Sequence, residues 1–244
     1  MDKTQKHAQA VADKSAQEIM EYLSEEFKGR AAIASSFGAE DMVLIDMCSK
    51  LKTRIDIFTL DTGRLPQETY DVMDEAAKKY SIKFCVFEPD TKELEELETK
   101  KGPNSFYESI DNRKECCRIR KIAPLKRALS GNDCWITGLR REQAVTRGSL
   151  EVIEWDEGNN MIKANPLASW SEKQVWDYIK ANNVPYNKLH DKGYPSIGCA
   201  PCTRAVKPGE DLRAGRWWWE TPEQKECGLH VKDGRLVRKN VGKS

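Results

Sequence analysis

Short apolar runs that alternate with amphipathic stretches constrain this chain more than any other feature. The runs are Ala31-Ala32-Ile33-Ala34-Ser35, Ile55 to Leu60 and Ile82 to Phe87, with helical patterning between them. Runs of this length read as buried strands, and strands joined by helix-length crossovers pair in parallel. Two further runs, Cys134 to Leu139 and Leu150 to Trp155, read as a fourth and a fifth strand. A helix is expected over Cys116 to Leu129, with Pro124 near its start or at a kink. Lys3 to Phe27 carries Ile19, Met20, Leu23 and Phe27 at helical spacing without Gly or Pro, which predicts one N-terminal amphipathic helix. Ser171 and Gln174 form a capping box ahead of Val175, Tyr178 and Ile179, in a helix expected to end near Asn183. Beyond Tyr186 the periodicity fades. One domain is expected, with an N-terminal helix over 1–28, an α/β core over 29–185 and a loop-rich segment over 186–244. Its sheet should be parallel and twisted, of about five strands, with helices on both faces.

Lys and Arg number 40 against 39 Asp and Glu, for a net charge of +1. No global field therefore draws the chain to nucleic acid or to an anionic membrane, and a small-molecule partner is expected. No apolar run approaches the roughly 18 residues that span a bilayer, and the start MDKTQKHAQA has no signal core, so a cytoplasmic location is expected. In a reducing compartment, eight cysteines point to metal or redox chemistry rather than to disulfides.

The first strand runs into Ser35, Ser36, Phe37 and Gly38, ahead of a helix expected to begin around Met42, which suits a phosphate cradle as well as a serine-capped turn. No Lys follows Gly38, so the loop of nucleotide triphosphate hydrolases is not indicated. The second strand ends in Asp61, Thr62 and Gly63, at the strand end where open α/β folds bind ligands. Cys116-Cys117 and Cys199-Ala200-Pro201-Cys202 form two close pairs. Their spacing leaves an iron-sulfur cluster, a zinc site and unrelated buried thiols all open. Cys48, Cys85 and Cys134 fall in predicted helix or strand interiors, as small hydrophobes. Trp217 to Trp219 read as cover for apolar surface and support for the preceding arginines, His190 as a satisfied structural histidine, and Glu93 to Glu98 as a solvated helix face.

SSFGAED and LDTGR together resemble the modified phosphate loop and the following strand end of the adenine nucleotide alpha hydrolase-like (PP-loop) superfamily. With Cys116-Cys117, the CAPC pair and Lys225-Glu226-Cys227-Gly228-Leu229-His230 in order, the chain resembles the assimilatory adenylyl-sulfate (APS) reductases from Ser35 to His230. These form the iron-sulfur branch of the PAPS/APS reductase family. The resemblance implies a 4Fe-4S cluster on Cys116, Cys117, Cys199 and Cys202. It implies that Cys227 attacks the sulfur of adenylyl sulfate, expels AMP and carries an S-sulfonate that thioredoxin releases as sulfite, in sulfate assimilation. Ser35, Ser36, Phe37, Gly38, Asp61, Thr62 and Gly63 would hold the substrate. Lys121, Arg147, Arg213, Arg216 and His230 would join them, with Arg140 and Arg141 as further candidates. A 3′-phosphoadenylyl-sulfate or dual-specificity reductase is the rival within enzymes. A zinc-stabilised tRNA-handling module is the rival from another class. A homo-oligomer is compatible with the sequence.

Overall fold

The computed structural model describes residues 3–143 and 149–221. Its sheet has six strands in the order β3-β2-β1-β4-β6-β5: β1 (Ala31–Ser35), β2 (Asp56–Leu60), β3 (Cys85–Phe87), β4 (Cys134–Ile136), β5 (Ile153–Asp156) and β6 (Met161–Ala164). All neighbours pair in parallel except β5, which runs antiparallel to β6 at the edge. The expected parallel sheet is present, with one strand more than the five expected and an antiparallel edge. Met161–Ala164 is a sixth strand that the apolar pattern missed, because Lys163 interrupts it. That lysine is buried in an ion pair of 2.9 Å with Glu154, its direct cross-strand partner, so a charged residue fits the sheet interior.

The helices are α1 (Lys3–Ala10), α2 (Ala16–Glu26), α3 (Ala39–Ser49), α4 (Gln67–Tyr80), α5 (Thr91–Lys101), α6 (Ile110–Cys117), α7 (Ala123–Leu129) and α8 (Glu172–Ala181). Strand side chains alternate between two cores. Ile33, Ile57, Ile136 and Ile162 meet α2, α3, α4 and α8, while Ala32, Phe58, Trp135 and Met161 meet α7. Helices therefore cover both faces, as expected. α3 is buried almost all round, Asp41 and Asp46 included, so its apolar residues are not confined to one stripe.

Three local expectations change. The single N-terminal helix is two, because Ser15 and Glu18 close a capping box that ends one run and starts another. α3 begins at Ala39 rather than Met42, with Gly38 as its N-cap and no side-chain cap. The helix expected over Cys116 to Leu129 is composite. A π-helical turn, Arg118–Ile122, joins α6 to α7, with Ala123 N–H donating to the Arg118 carbonyl and Pro124 just beyond it. The capping box at Ser171 and Gln174 is present, and α8 ends with Asn182 as its C-cap.

Cys48 and Cys134 are buried as expected, but Cys85 is exposed, because β3 is an edge strand. Between α8 and residue 221, the described chain forms loops and single 3-10 turns, including His190–Lys192 and Ala200–Cys202, with an isolated bridge between Thr203 and Arg216. Among the described residues, no helix is long and apolar enough to cross a membrane.

Candidate active site with a four-cysteine pocket

The strand order places β1 between β2 and β4, so successive connections diverge and leave a crevice beyond the carboxyl ends of β1 and β4. A cavity of about 230 Å³ fills it. Strand-end residues Ser35, Ser36, Thr59, Thr62, Thr137 and Gly138 line one side, and Lys121, Ser196, Gly198, Arg213, Arg216 and Trp217 line the other. Of the candidates, Ser35, Ser36, Gly38, Thr62, Lys121, Arg213 and Arg216 are thus brought together.

Three candidates are not. The Phe37 ring is fully buried in the core, edge-on to Phe84 at 5.0 Å, and its φ of 58° only turns the loop. The Asp61 carboxylate accepts from its own turn at Gly63 N–H, 2.8 Å, and from the Tyr70 hydroxyl, 2.9 Å. Gly63, at φ 68°, lies under the Arg120 guanidinium, with 3.5 Å left for a Cβ. Arg147, Cys227 and His230 lie outside the described residues.

The serine loop differs from an open phosphate cradle. Ser36 donates its backbone N–H (2.6 Å) and its hydroxyl (2.8 Å) to Asp41, one turn into α3. Burial pushes the Asp41 carboxyl up to about 6, against the pull of the Ser36 donors. The Ser36 donors are met by the protein's own carboxyl, while Lys121, Arg213 and Arg216 bring cations to the same cavity. Arg140 lies behind the loop in a 2.8 Å ion pair with Glu40, and Arg141 donates to the Leu150 carbonyl.

A smaller pocket adjoins the cavity. Cys116, Cys117, Cys199 and Cys202 line it together, with Arg64, Arg113, Arg120, Lys121, Arg216 and Trp217 around them. The two pairs converge because the π turn follows Cys117 directly and the Ala200 N–H is tied to the Arg64 carbonyl at 2.8 Å. The Thr62 hydroxyl stands 3.3 Å from the Cys199 sulfur. Burial pushes the Cys199 thiol up, but Lys121, the Thr62 hydroxyl, Arg216 and Arg120 together outweigh it and hold it below a thiol's ordinary value. Burial and the neighbouring Cys199 and Cys117 push Cys202 up to about 12. Among the described residues, no three His, Cys, Asp or Glu side chains are set as ligands of a single metal ion.

Lys121, Arg216 and Trp217 face both spaces and form the wall between them. Trp217 supports a preceding arginine as expected, with Arg216 at 4.7 Å from its ring, and Arg113 lies 5.0 Å from the same ring. Its indole N–H is buried and has no partner among the described residues. Gly198 leaves room for this wall: a Cβ there would stand 2.6 Å from the Arg216 guanidinium carbon. His190, expected to be satisfied, packs edge-on to Trp176 at 5.3 Å, and its buried Nε2 has no hydrogen-bond partner among the described residues. Sequence reading missed Thr59, Thr137 and Gly138, which the strand-end rule that found Thr62 would have found. It also missed Arg64, Arg113 and Arg120, which carried no signal beyond closeness to cysteines or turns in the chain.

Residues 30–205 match the family model described as the phosphoadenosine phosphosulfate reductase domain. The chain is 52% identical over 200 residues to the adenosine 5′-phosphosulfate reductase of Allochromatium vinosum, covering 82% of this chain and 78% of that one. It is 47% identical over 238 residues to the same-named protein of Pseudomonas aeruginosa, covering 95% and 87%. Among solved structures, the phosphoadenylyl-sulfate reductase of Candida auris in a phosphate complex superposes with TM-score 0.70 at 33% identity, over 83% of this chain and 96% of that one. The Candida glabrata FMN adenylyltransferase, at 14% identity and TM-score 0.54 over 94% and 81%, shares the fold alone.

Two outcomes follow from this geometry. Gly198→Ala will displace Arg216 and weaken AMP binding roughly tenfold or more, the scale of one charge-assisted contact, with little change in melting temperature. Titration calorimetry checks it, and unchanged affinity would separate Arg216 from the anion site. The Asp41 carboxyl holds its proton more tightly folded than at its ordinary 3.8, so its contribution is stabilising below about pH 4 and is lost as pH rises through about 6. Asp41→Asn removes that dependence, and melting curves of parent and variant from pH 4 to 7 should converge toward the acid end and separate, variant higher, toward pH 7.

Proposed function

Because this chain belongs to the phosphoadenosine phosphosulfate reductase family, we propose that it reduces adenylyl sulfate to sulfite and AMP in cytoplasmic sulfate assimilation, with thioredoxin as dithiol reductant. The observation that carries this reading is the shared wall. Lys121, Arg216 and Trp217 belong at once to a nucleotide-sized cavity and to the four-cysteine pocket.

Adenylyl sulfate is a phosphosulfate anhydride with negative charge on both groups. Arg213, Arg216 and Lys121 offer fixed cations to its oxygens, and Ser35, Thr62 and Gly38 line the strand-end side. Arg147 and His230, outside the described residues, remain proposed members of this set. The Cys227 thiolate attacks the substrate sulfur, the bond from sulfur to the bridging oxygen breaks, and AMP leaves with that electron pair. The product is a Cys227 S-sulfonate. A thioredoxin thiolate then attacks the Cys227 sulfur and expels sulfite, and the second thioredoxin thiol resolves the mixed disulfide, returning Cys227 as a thiol. The two electrons come from that dithiol. Lys121 and the arginines stabilise charge growing on the departing phosphate.

The four-cysteine pocket suits a 4Fe-4S cluster ligated by Cys116, Cys117, Cys199 and Cys202. Its donors are all thiols, cations surround them to favour thiolates, and the unpartnered Trp217 N–H is a ready donor to such a group. When bound, the cluster supplies an anionic, rigid backing that holds Lys121 and Arg216 in place. The relatives named for the unphosphorylated nucleotide share more identity with this chain than the 3′-phosphorylated-nucleotide reductase of Candida auris does, which supports adenylyl sulfate as substrate.

Cys227→Ser should make no sulfite and form no sulfonate adduct on mixing with adenylyl sulfate, while iron content and AMP affinity stay within twofold of the parent. Sulfite release and intact mass measure this, and normal turnover would remove Cys227 from the mechanism. Protein purified without oxygen should hold iron and acid-labile sulfide in equal amounts, and Cys202→Ser should lose both. A colourless parent containing one zinc would overturn the cluster.

A further inference from the structure

Thr137 follows β4 directly and lines the nucleotide cavity, yet the chemistry above gives it no part. Two residues after Trp135, it shares that residue's face of the sheet. The same face, with Leu125 of α7, supplies the apolar floor of the cavity through Ala34, Phe58, Leu60 and Trp135. The Thr137 hydroxyl donates to the Asn165 side-chain oxygen at 2.6 Å, and the direction of that bond is fixed from behind. Asn165 is fully buried, and its amide nitrogen donates to the Glu151 carbonyl at 2.8 Å and to the Glu154 carboxylate at 3.3 Å. Turned over, the amide would set its oxygen against two groups that only accept. Glu154 is held in turn by Lys163, whose ammonium lies 5.5 Å from the centre of the Trp135 ring. Lys163, Glu154, Asn165 and Thr137 thus form one buried polar chain from the edge of the sheet to the cavity. With its one proton committed to Asn165, the Thr137 hydroxyl has only acceptor capacity left for a ligand.

We infer that Thr137 is a specificity-determining residue of the nucleotide cavity, a hydrogen-bond acceptor held in that role by Asn165, which reads a donor on the nucleoside: the 6-amino group of the base or a ribose hydroxyl. The inference rests on the nucleotide reading proposed above. A threonine free to rotate donates or accepts as the ligand requires and so discriminates weakly. One whose proton is fixed favours a donor and repels an acceptor. A site built to hydrogen-bond a ligand rejects the analogue that lacks the group far more sharply than an apolar pocket rejects a change of shape. Lys121, Arg213 and Arg216 bring cations to the anionic end of the nucleotide and do not make this distinction, which lies in its neutral part. A threonine that only tied the end of β4 to the end of β6 would, when replaced, weaken every nucleotide alike.

The test compares the parent holoenzyme with Thr137→Val and Thr137→Ser by titration calorimetry. The probes are AMP and three analogues, purine riboside 5′-monophosphate, 2′-deoxy-AMP and 3′-deoxy-AMP, which lack the amino group and each hydroxyl in turn. In Thr137→Val the preference for AMP over one analogue should fall roughly fivefold or more, the scale of one buried hydrogen bond. The analogue concerned identifies the donor. Thr137→Ser, which keeps a hydroxyl beside Asn165, should hold the parent's preferences within about twofold. Thr137→Val leaves the Asn165 oxygen unpaired; should it not fold, Thr137→Ala, with room for a water at that oxygen, supplies the same comparison. Preferences unchanged from the parent in the valine or alanine variant would overturn the inference, whether or not all four nucleotides bind more weakly. Loss of the same preference in Thr137→Ser would overturn it too. A parent that binds none of the four would overturn the proposed function, and this inference with it.

Discussion

Thiols and cations buried against one another organise the functional half of this molecule. Cys116, Cys117, Cys199 and Cys202 share a pocket with Arg64, Arg113, Arg120, Lys121 and Arg216. Neither set suits a protein interior alone, since burial disfavours thiolates and guanidinium groups resist losing their water. Together they compensate. Cys199 and Cys202 are displaced in opposite directions: the cations outweigh burial at Cys199, whereas burial, with Cys199 and Cys117 beside it, raises Cys202. A group that ligates all four sulfurs relieves this repulsion.

The arrangement reaches into the nucleotide cavity because its cations serve on both sides. Arg216 donates to the Ile197 carbonyl at 3.2 Å and to the Ser196 hydroxyl at 3.3 Å, so the strap that carries Cys199 also aims a guanidinium at the cavity. Gly198 lets that side chain pass without a clash. Thr62, at the end of β2, touches Cys199 through its hydroxyl and Arg120 through its carbonyl, 2.6 Å from Nη1. The sheet end and the cysteine pocket are therefore one bonded unit, and a disturbance of either is felt in the other.

Much of this was legible in the chain. Strand and helix alternation gave the α/β class, the strand-end rule found Ser35, Ser36, Gly38 and Thr62, and paired cysteines marked the pocket. Where reading failed, a neighbour distant in sequence had changed the outcome. Phe37 lay in a polar loop yet turned into the core through a positive φ. Lys163 looked unfit for a strand interior until Glu154 lay opposite it. Asp61 has the look of a ligand in the sequence, yet its carboxylate accepts from the Gly63 N–H and the Tyr70 hydroxyl beside its own turn and does not line the cavity.

Sequence alone determined the parallel α/β class, the placement of ligand chemistry at strand ends and the division of cysteines into two pairs and a separate Cys227, because these depend on periodicity and residue type along the chain. Only the tertiary structure decided that both pairs meet in one pocket, that Asp41 occupies the serine loop, and that Trp217 with Arg216 and Lys121 forms a wall common to two cavities. Those are contacts between residues far apart in the chain. Their geometry is set by packing and by the matching of buried charge, neither of which leaves a periodic trace in the sequence.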